Sequence, residues 1–238
     1  MILLDPEAKP LVGHRGAPGE CPENTIRSFQ RALEQGVDAL EFDIRVTADG
    51  VPVVVHDATV DRTTDGSGPI RSHTLEHLRE LDAGGGERIP TLDEVLERYP
   101  RLPCIVEIKE REASEPALEV ILRHGATPRV LVGSFIHAAL RPFATAGSHR
   151  SASRRETAAS WGASRLGLSL RGSAFDAFAV PERHRSLTVV DRAFVRAAHR
   201  AGRPVHVWTV DDPVDANRLR ALGVSGIITN FPSRMRAL

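Results

Sequence analysis

Residues 37–56, VDALEFDIRVTADGVPVVVH, contain the pattern that decides the fold. In the first half of this stretch apolar and polar residues alternate, which is typical of a strand with two different faces. One face is apolar, and the other carries Glu41 and Asp43. In a barrel of parallel strands the apolar face packs against the surrounding helices, so we expect both carboxylates to point into the barrel.

A tight turn follows this strand. Only Thr47 to Gly50 separate it from the next apolar segment, whereas a parallel crossover needs about a dozen residues or more. The Asp49-Gly50 pair is typical of an antiparallel hairpin. We therefore expect Pro52 to His56 to fold back beside the first strand as an arm outside the barrel, which would bring His56 level with the two carboxylates.

Strand-like segments alternate with segments of helical period along the rest of the chain, which predicts successive β-α units. Further strands are predicted at 10–14, 104–109, 129–134, 149–152, 177–180, 205–210 and 226–230, the one at 149–152 on a weak pattern. Helices are predicted at about 24–35, 75–81, 115–124, 137–145 and 191–201, around Trp161, from a capping box at Thr91 and Glu94, and from Asp212-Pro213 to Gly223.

The number of predicted strands favours a closed barrel. Leaving out the arm there are about eight, so we predict an α/β fold, a (β/α)8 TIM barrel with a β-hairpin arm and a small loop insertion after its second strand. The insertion is expected at about residues 57–89, which are rich in glycine. The pattern is poorest from 146 to 177, and the chain before Pro10 is expected to be frayed.

The bulk composition excludes several classes of protein. With 238 residues, 41% of them hydrophobic, the chain can form one sizeable core, so we expect residues 1–238 to be a single domain. The 31 basic and 31 acidic residues balance, which argues against a nucleic-acid partner and a stable membrane anchor. Cys21 and Cys104 are expected to be reduced thiols. Neither a secretory signal nor a membrane span is present, so the expected location is cytoplasmic.

Acidic side chains end two of the predicted strands. In a β/α barrel the reactive residues lie at the C-terminal ends of strands, which is where Glu41, Asp43 and Glu107 fall. Three converging carboxylates suit one hard divalent cation bound through oxygen. We therefore expect Mg²⁺ or Ca²⁺ rather than zinc, which prefers histidine and cysteine.

Histidines and cations fall near the same strand ends. His14 and His56 suit proton transfer near neutral pH, since the unperturbed pKa of histidine is about 6.5. Arg15 and Lys109 suit a phosphate group, the first as a bidentate fork and the second as a point charge. Lys109 is one of only two lysines among the 31 basic residues, which suggests that a compact ammonium is needed at this strand end.

Each of these features has an ordinary explanation when taken alone. A histidine beside an arginine is usually surface or core polarity, and Glu-x-Asp on a strand is often a solvated edge. Trp208 points inward near a strand end, so it is equally a core residue or a candidate substrate-binding residue. Asp61, Arg62 and Asp65 are loop charges that could reach the site, although solvated positions are the default expectation. Only the combination of features indicates a metal-assisted site.

The ordered motifs of the chain resemble those of the glycerophosphodiester phosphodiesterase family, from about Val12 to Pro232. They are Gly13-His14-Arg15-Gly16, Pro22-Glu23-Asn24-Thr25, Glu41-x-Asp43, Val53-x-x-His56-Asp57, Arg62-x-Thr64, Ile89-Pro90-Thr91-Leu92, Glu107-Ile108-Lys109, Trp208-Thr209-Val210 and Gly226-Ile227-Ile228-Thr229-Asn230. The resemblance implies a TIM barrel that hydrolyses a small-molecule glycerophosphodiester to glycerol phosphate and an alcohol with a divalent cation. It implies an acid/base pair, His14 and His56, phosphate-binding residues, Arg15 and Lys109, and metal ligands, Glu41, Asp43 and Glu107.

The mechanism expected for such an enzyme uses both histidines. One removes the proton of the glycerol 2-hydroxyl for attack on phosphorus, the other protonates the departing alcohol, and water opens the resulting cyclic phosphate. By analogy we assign His14 as the base and His56 as the acid, although the sequence alone leaves the order open. The alternatives are a lysophospholipase D or sphingomyelinase D-like phosphodiesterase and a non-catalytic phosphodiester-binding protein. The sequence fixes neither the alcohol, nor the metal, nor whether the protein is a monomer or a small homo-oligomer.

Overall fold

The computed structural model describes residues 1–235. The strands are β1 (Leu11–His14), β2 (Ala39–Val46), β3 (Pro52–Val54), β4 (Cys104–Ile108), β5 (Val130–Gly133), β6 (Phe178–Pro181), β7 (Arg183–His184), β8 (Leu187–Thr188), β9 (Val205–Trp208) and β10 (Gly226–Thr229). The helices are α1 (Ile26–Glu34), α2 (Leu75–Leu78), α3 (Leu92–Arg98), α4 (Ser114–Arg123), α5 (Arg141–Thr145), α6 (Arg154–Arg165), α7 (Arg192–Arg200) and α8 (Pro213–Leu222). Residues 236–238 of the predicted single domain lie outside the described residues, and that domain assignment stays a prediction.

A parallel sheet closes almost completely into a barrel. Its strand order is β5-β4-β2-β1-β10-β9-β6. Residues 150 and 151 take the place of one more strand, because Arg150 bridges to Val132 in β5 and Ser151 bridges to Ala177 beside β6. The weak strand predicted at 149–152 is thus present only as two bridges. The predicted (β/α)8 TIM barrel is confirmed.

The hairpin arm is also confirmed. Strand β3 runs antiparallel to β2, with Val54 opposite Ile44 and Val53 opposite Arg45. The arm shares a small apolar cluster with the insertion, so the insertion is packed rather than loose. The buried members of this cluster are Val53, Val55, Val60, Ile70, Leu78, Ala83 and Ile89.

The chain before β1 covers the end of the barrel at which the strands begin. Ile2–Leu4 form a turn of 3-10 helix, and Leu3 within it is 0% exposed. The barrel side chains around Leu3 are Val12, Ala39, Ile105, Leu131, Ala177 and Ile228. Lys9 Nζ also donates to the carbonyl oxygen of Val224 at 3.3 Å. The expectation of a frayed N-terminus is wrong, because an uncovered barrel end would expose apolar side chains to water.

Local signals place several helix ends correctly. Thr91 and Glu94 form the expected capping box at the start of α3. Asp212 Oδ1 accepts a hydrogen bond from the backbone N–H of Val214 at 2.7 Å, which caps α8 as predicted. Within residues 1–235, no helix combines the length and the apolar character that a bilayer crossing requires.

Residues 150 and 151 lie between β5 and β6 and occupy the fifth position of the barrel. A buried ion pair holds this short segment. Arg150 is 4% exposed, and its guanidinium donates to both carboxylate oxygens of Glu156 at 2.8 and 2.9 Å. The same carboxylate accepts from the backbone N–H and the hydroxyl of Ser153, which caps α6. Although burial raises it, the pKa of Glu156 is brought down to about 2 by these hydrogen bonds. Glu156 therefore ties the barrel to α6.

Glu156→Gln should lower the free energy of unfolding by about 3 kcal/mol, since it leaves the buried guanidinium of Arg150 without its anion. The pKa of Glu156 is lower in the folded protein than the ordinary value of 4.5. The stabilising contribution of Glu156 is therefore complete above pH 4.5 and is lost as the pH falls toward about 2. In urea denaturation, the difference in the free energy of unfolding between wild type and variant should become smaller as the pH is lowered.

The matched control is Asp215→Asn, which removes a carboxylate from an exposed pair with Arg218. Because water screens exposed pairs, this variant should lose less than about 1 kcal/mol. The role given to Glu156 would be contradicted if both variants lost the same free energy of unfolding. It would also be contradicted if the difference between wild type and Glu156→Gln did not change with pH.

Candidate active site

Three carboxylates meet at the end of the barrel where the strands finish. Glu41 and Asp43 lie two residues apart on β2, and the strand register places Asp43 beside Glu107 of β4. One oxygen from each carboxylate lies within 4.8 Å of the others. Glu41 and Asp43 are buried, and Glu107 is partly buried. The alternation of β2 and β4 therefore turns these side chains inward, as the sequence predicts.

Two cations lie against this acidic cluster. Lys109 Nζ is 3.0 Å from Asp43 Oδ1 and 2.9 Å from Glu107 Oε1, and Arg15 Nε is 3.1 Å from Asp43 Oδ2. Burial raises the pKa of Asp43, but Lys109 and Arg15 outweigh it and hold that pKa below its usual range. Burial, together with the neighbouring carboxylates, raises the pKa of Glu41 well above its usual value. With three carboxylates and two cations, the cluster contains more acidic groups than cationic ones.

The carboxylates fit a hard divalent cation. Oxygen ligands lie about 2.0 to 2.6 Å from Mg²⁺ or Ca²⁺, so opposite ligand atoms of one ion are separated by up to about 5 Å. The oxygens of Glu41, Asp43 and Glu107 satisfy this limit. Asn24 adds a buried amide oxygen that has no hydrogen-bond partner within residues 1–235, while its Nδ2 donates to Asp43 Oδ2 at 3.0 Å. Such oxygen ligands suit magnesium or calcium better than zinc.

The glycines of the Gly13-His14-Arg15-Gly16 motif allow the loop after β1 to pack tightly against α1. A Cβ atom on Gly13 would lie 2.6 Å from the carbonyl oxygen of Gly16. Gly16 has a φ of +89°, and a Cβ there would lie 2.3 Å from Ser28 Oγ. Arg15 itself has a φ of +55°, an uncommon value for a residue with a side chain. This close packing fixes where the Arg15 side chain leaves the loop.

His14 is held in one tautomer by a residue at the end of β10. The backbone N–H and the side-chain amide of Asn230 both donate to Asp211 at 2.8 Å, which orients the amide. Asn230 Oδ1 therefore faces His14 Nδ1 at 2.7 Å and accepts a hydrogen bond from Nδ1–H. Nε2 of His14 carries the free lone pair and lies 3.8 Å from Glu41 Oε2. Burial lowers the pKa of His14, which favours its neutral form.

His56 lies just beyond the hairpin arm and is partly exposed. Its Nδ1 is 2.6 Å from Asp57 Oδ1, and its carbonyl oxygen accepts a hydrogen bond from Arg45 Nε at 2.8 Å. The charge of His56 lies close enough to Asp43 and Glu107 to act on their pKa values. The arm thus brings His56 to the acidic cluster, as the hairpin predicts.

Aromatic rings line one side of the site. Phe135, in the loop after β5, packs edge-on against Trp208 with ring centroids 5.8 Å apart. Lys109 Nζ lies 5.9 Å from the centroid of the Phe135 ring. Trp208 is partly buried at the end of β9 and also packs on the barrel interior, whereas Phe135 is 50% exposed.

The contacts of four site residues are not anticipated by the sequence. The four residues follow strands or stand in the motif segments, so the rule that reactive residues follow barrel strands could have singled them out. They are Asn24, Phe135, Asp211 and Asn230.

The three loop charges of the insertion are expected to be solvated, and this expectation holds for two of them. Asp61 and Asp65 accept hydrogen bonds from backbone amides nearby. Arg62 is also exposed, at 49% of its side chain, but it pairs with Asp57 and Glu23 and so reaches the site.

A parallel barrel whose mouth carries an acidic cluster, two histidines and two cations is the arrangement expected of a TIM-barrel phosphodiesterase. The sequence profile of the Glycerophosphoryl diester phosphodiesterase family matches residues 14–234. The chain belongs to this family, and the prediction of an enzyme of this class is confirmed.

Relatives and solved structures match nearly the whole chain. A glycerophosphodiester phosphodiesterase of Caldanaerobacter subterraneus subsp. tengcongensis is 33% identical over 94% of this chain and 95% of its own. The crystal structure of a glycerophosphodiester phosphodiesterase of Agrobacterium tumefaciens has a TM-score of 0.78 and 26% identity, covering 97% of this chain and all of that one. A phosphodiesterase of Oleispira antarctica, solved in complex with the product sn-glycerol-3-phosphate, has a TM-score of 0.80 and 27% identity, with 96% and 95% coverage.

Asn230→Leu should release His14 from its tautomer, because leucine offers no acceptor to Nδ1–H. In the wild-type protein at pH 8, long-range ¹H–¹⁵N spectra should show His14 protonated at Nδ1 and bare at Nε2. In the variant the Nε2–H form should dominate, as it does in free imidazole side chains.

His206 provides an internal control for this measurement. Its Nε2 donates to the carbonyl oxygen of Leu3 at 2.9 Å, and burial lowers its pKa to about 4, so it should stay neutral and protonated at Nε2 in both proteins. An unchanged His14 signal in the variant would refute the tautomer assignment.

Proposed function

We propose that this protein hydrolyses glycerophosphodiesters to glycerol phosphate and an alcohol, with one divalent cation, Mg²⁺ or Ca²⁺, and with histidine acid/base catalysis. The observation that carries the proposal is the cluster of Glu41, Asp43 and Glu107, which lies beside Lys109 and Arg15. The names of the relatives support it, and so does the product seen in the Oleispira antarctica structure. Cytoplasmic location and a monomeric or small homo-oligomeric state stay predictions.

The proposed site divides substrate binding between charged and apolar groups. A cation held by the three carboxylates would neutralise charge on the phosphate oxygens and polarise the phosphorus. Arg15 and Lys109 donate to the same phosphate, and both are already held in place by Asp43. Phe135 and Trp208 offer ring surface to the carbon atoms of the glycerol or of the leaving alcohol.

His14 is suited to be the base of the first step. Its free Nε2 accepts the proton of the glycerol 2-hydroxyl while that oxygen forms a bond to phosphorus. The bond from phosphorus to the alcohol oxygen breaks, and this oxygen takes a proton from Nε2 of His56. The products of this step are a cyclic glycerol phosphate and the free alcohol.

The second step reverses the two roles. Neutral His56 accepts a proton from water as the water oxygen attacks the phosphorus. The ring bond to the glycerol 2-oxygen breaks, and His14 returns its proton to that oxygen. Both histidines end in their starting protonation states, and each positioned proton transfer typically contributes roughly 10²- to 10⁴-fold to the rate.

Glu107→Gln should weaken cation binding by roughly tenfold or more, since the affinity of such sites depends on the number of ligand charges. Calorimetric titration of Mg²⁺ and Ca²⁺ without substrate measures this directly. Glu112→Gln is the control, because Glu112 is an exposed carboxylate that pairs with Arg71 outside the cluster. If the titrations of Glu107→Gln and wild type coincide, Glu107 is not a ligand.

His56→Ala should lower the turnover of glycerophosphocholine by roughly 10²- to 10⁴-fold, which is the usual contribution of one acid/base group. Cation affinity should be unchanged, because His56 is not among the carboxylate ligands. His77→Ala, which removes an exposed histidine of the insertion, should have normal turnover. Near-normal turnover in His56→Ala would remove His56 from the mechanism.

The same assay separates the proposed function from its alternatives. A panel of glycerophosphodiesters, with lysophosphatidylcholine included, is assayed with each metal after chelation. Faster cleavage of lysophosphatidylcholine than of glycerophosphocholine would favour a lysophospholipase D-like enzyme, and ligand binding without turnover in any metal would favour a binding protein.

A further inference from the structure

Arg62 lies in the middle of a chain of ion pairs that joins His56 to Arg15. Its Nε–H donates to Asp57 Oδ2 at 2.6 Å, and Oδ1 of the same carboxylate is 2.6 Å from His56 Nδ1. Its two terminal nitrogens donate to the two oxygens of Glu23 at 2.7 and 2.8 Å. Glu23 Oε1 also accepts from Arg15 Nη1 at 3.0 Å. Two guanidinium groups therefore share one carboxylate.

The chain of ion pairs connects three separate segments. Arg15 and Glu23 belong to the loop after β1, His56 and Asp57 follow the hairpin arm, and Arg62 belongs to the insertion. The strand pairing of the arm ends at Pro52–Val54, before His56 is reached. Arg45 of β2 holds the backbone of His56 through its carbonyl oxygen, whereas the imidazole ring contacts Asp57, so this side-chain contact is what orients the ring.

Folding stability gives only a weak reason for these contacts. The side chain of Arg62 is 49% exposed, and ion pairs at that exposure contribute little because water screens them. What the guanidinium supplies is geometry, since its planar fork holds Asp57 through Nε and Glu23 through both terminal nitrogens. The hydrogen bond from Arg62 also holds the pKa of Asp57 well below its usual range, which keeps Asp57 an acceptor.

We propose that Arg62 is a positioning residue for His56 in phosphodiester cleavage. By fixing Asp57, it directs Nδ1–H of His56 away from the substrate and leaves Nε2 to face the leaving-group oxygen. Through Glu23, the same guanidinium sets this orientation relative to the phosphate-binding Arg15. The inference rests on the proposed function, because it takes His56 as the acid of the first step.

The test compares two substrates that differ only in the leaving group. Choline needs a proton as its bond to phosphorus breaks, whereas p-nitrophenolate departs without one. Arg62→Gln should lower the single-turnover rate for glycerophosphocholine by roughly 10- to 100-fold, a part of the roughly 10²- to 10⁴-fold that an acid contributes, and the rate for glycerophospho-p-nitrophenol by less than about threefold. Single turnovers isolate the first step from ring opening.

Two further variants define the role of the guanidinium. Arg62→Lys should stay close to Arg62→Gln on glycerophosphocholine, because one ammonium cannot hold both carboxylates in the observed geometry. Arg71→Gln is the matched control, since Arg71 is an exposed cation of the same insertion that pairs with Glu112, and it should be normal with both substrates. Thermal unfolding verifies that each variant is folded. An equal loss on both substrates in Arg62→Gln, or no loss on either, overturns the proposal.

His56→Ala distinguishes a failure of this inference from a failure of the proposed function. If His56→Ala is slow only with glycerophosphocholine while Arg62→Gln is normal, the acid role of His56 stands and the positioning role of Arg62 is refuted. If His56→Ala is equally slow with both substrates, the acid role itself fails, and the inference fails with it.

Discussion

The crowding of three carboxylates within 4.8 Å of one another at a largely buried barrel end is the constraint on which the rest of the site depends. Burial raises the pKa of Glu41, and the like charges of Asp43 and Glu107 raise it further. Lys109 and Arg15 relieve part of the repulsion at Asp43, and they are thereby placed where a phosphate would need them. The acidic cluster could therefore hold a metal ion, and it also orients the cationic side chains.

The barrel can hold this cluster because its two ends differ in character. Along β2 the inward side chains change from Ala39, which packs around Leu3 at the covered end, to Glu41 and Asp43 at the mouth. The apolar covered end stabilises the fold independently of the charges. Substitutions at the mouth should therefore change chemistry more than folding, which matches the usual separation between the two ends of β/α barrels.

The sequence predicts those parts of the fold and site that depend on periodicity and short-range signals. The alternation of β2 and β4 predicts the inward carboxylates, and the Asp49-Gly50 turn predicts the arm that carries His56. It does not predict contacts between loops that are distant in the chain, because local patterns carry no information about which loops meet. The contacts of Arg62 with Glu23 and of Asn230 with His14 belong to this class.

The same limit applies to the fifth barrel position and to the N-terminus. The segment at Arg150 and Ser151 has only two bridges, so its sequence need not show strand alternation, and the side chain of Glu156 holds it instead. Leu3 is buried against side chains that only the assembled barrel brings together. Neither requirement is visible before the barrel itself is known.

The two histidines have different hydrogen-bond partners, and this difference bears on the roles proposed for them. His14 donates Nδ1–H to the uncharged amide of Asn230, an arrangement that favours a neutral ring with a free lone pair. His56 Nδ1 instead faces the carboxylate of Asp57, which Arg62 also holds. The free Nε2 of His14 therefore suits the first base of the proposed mechanism, an assignment that the histidines' own positions in the sequence leave open.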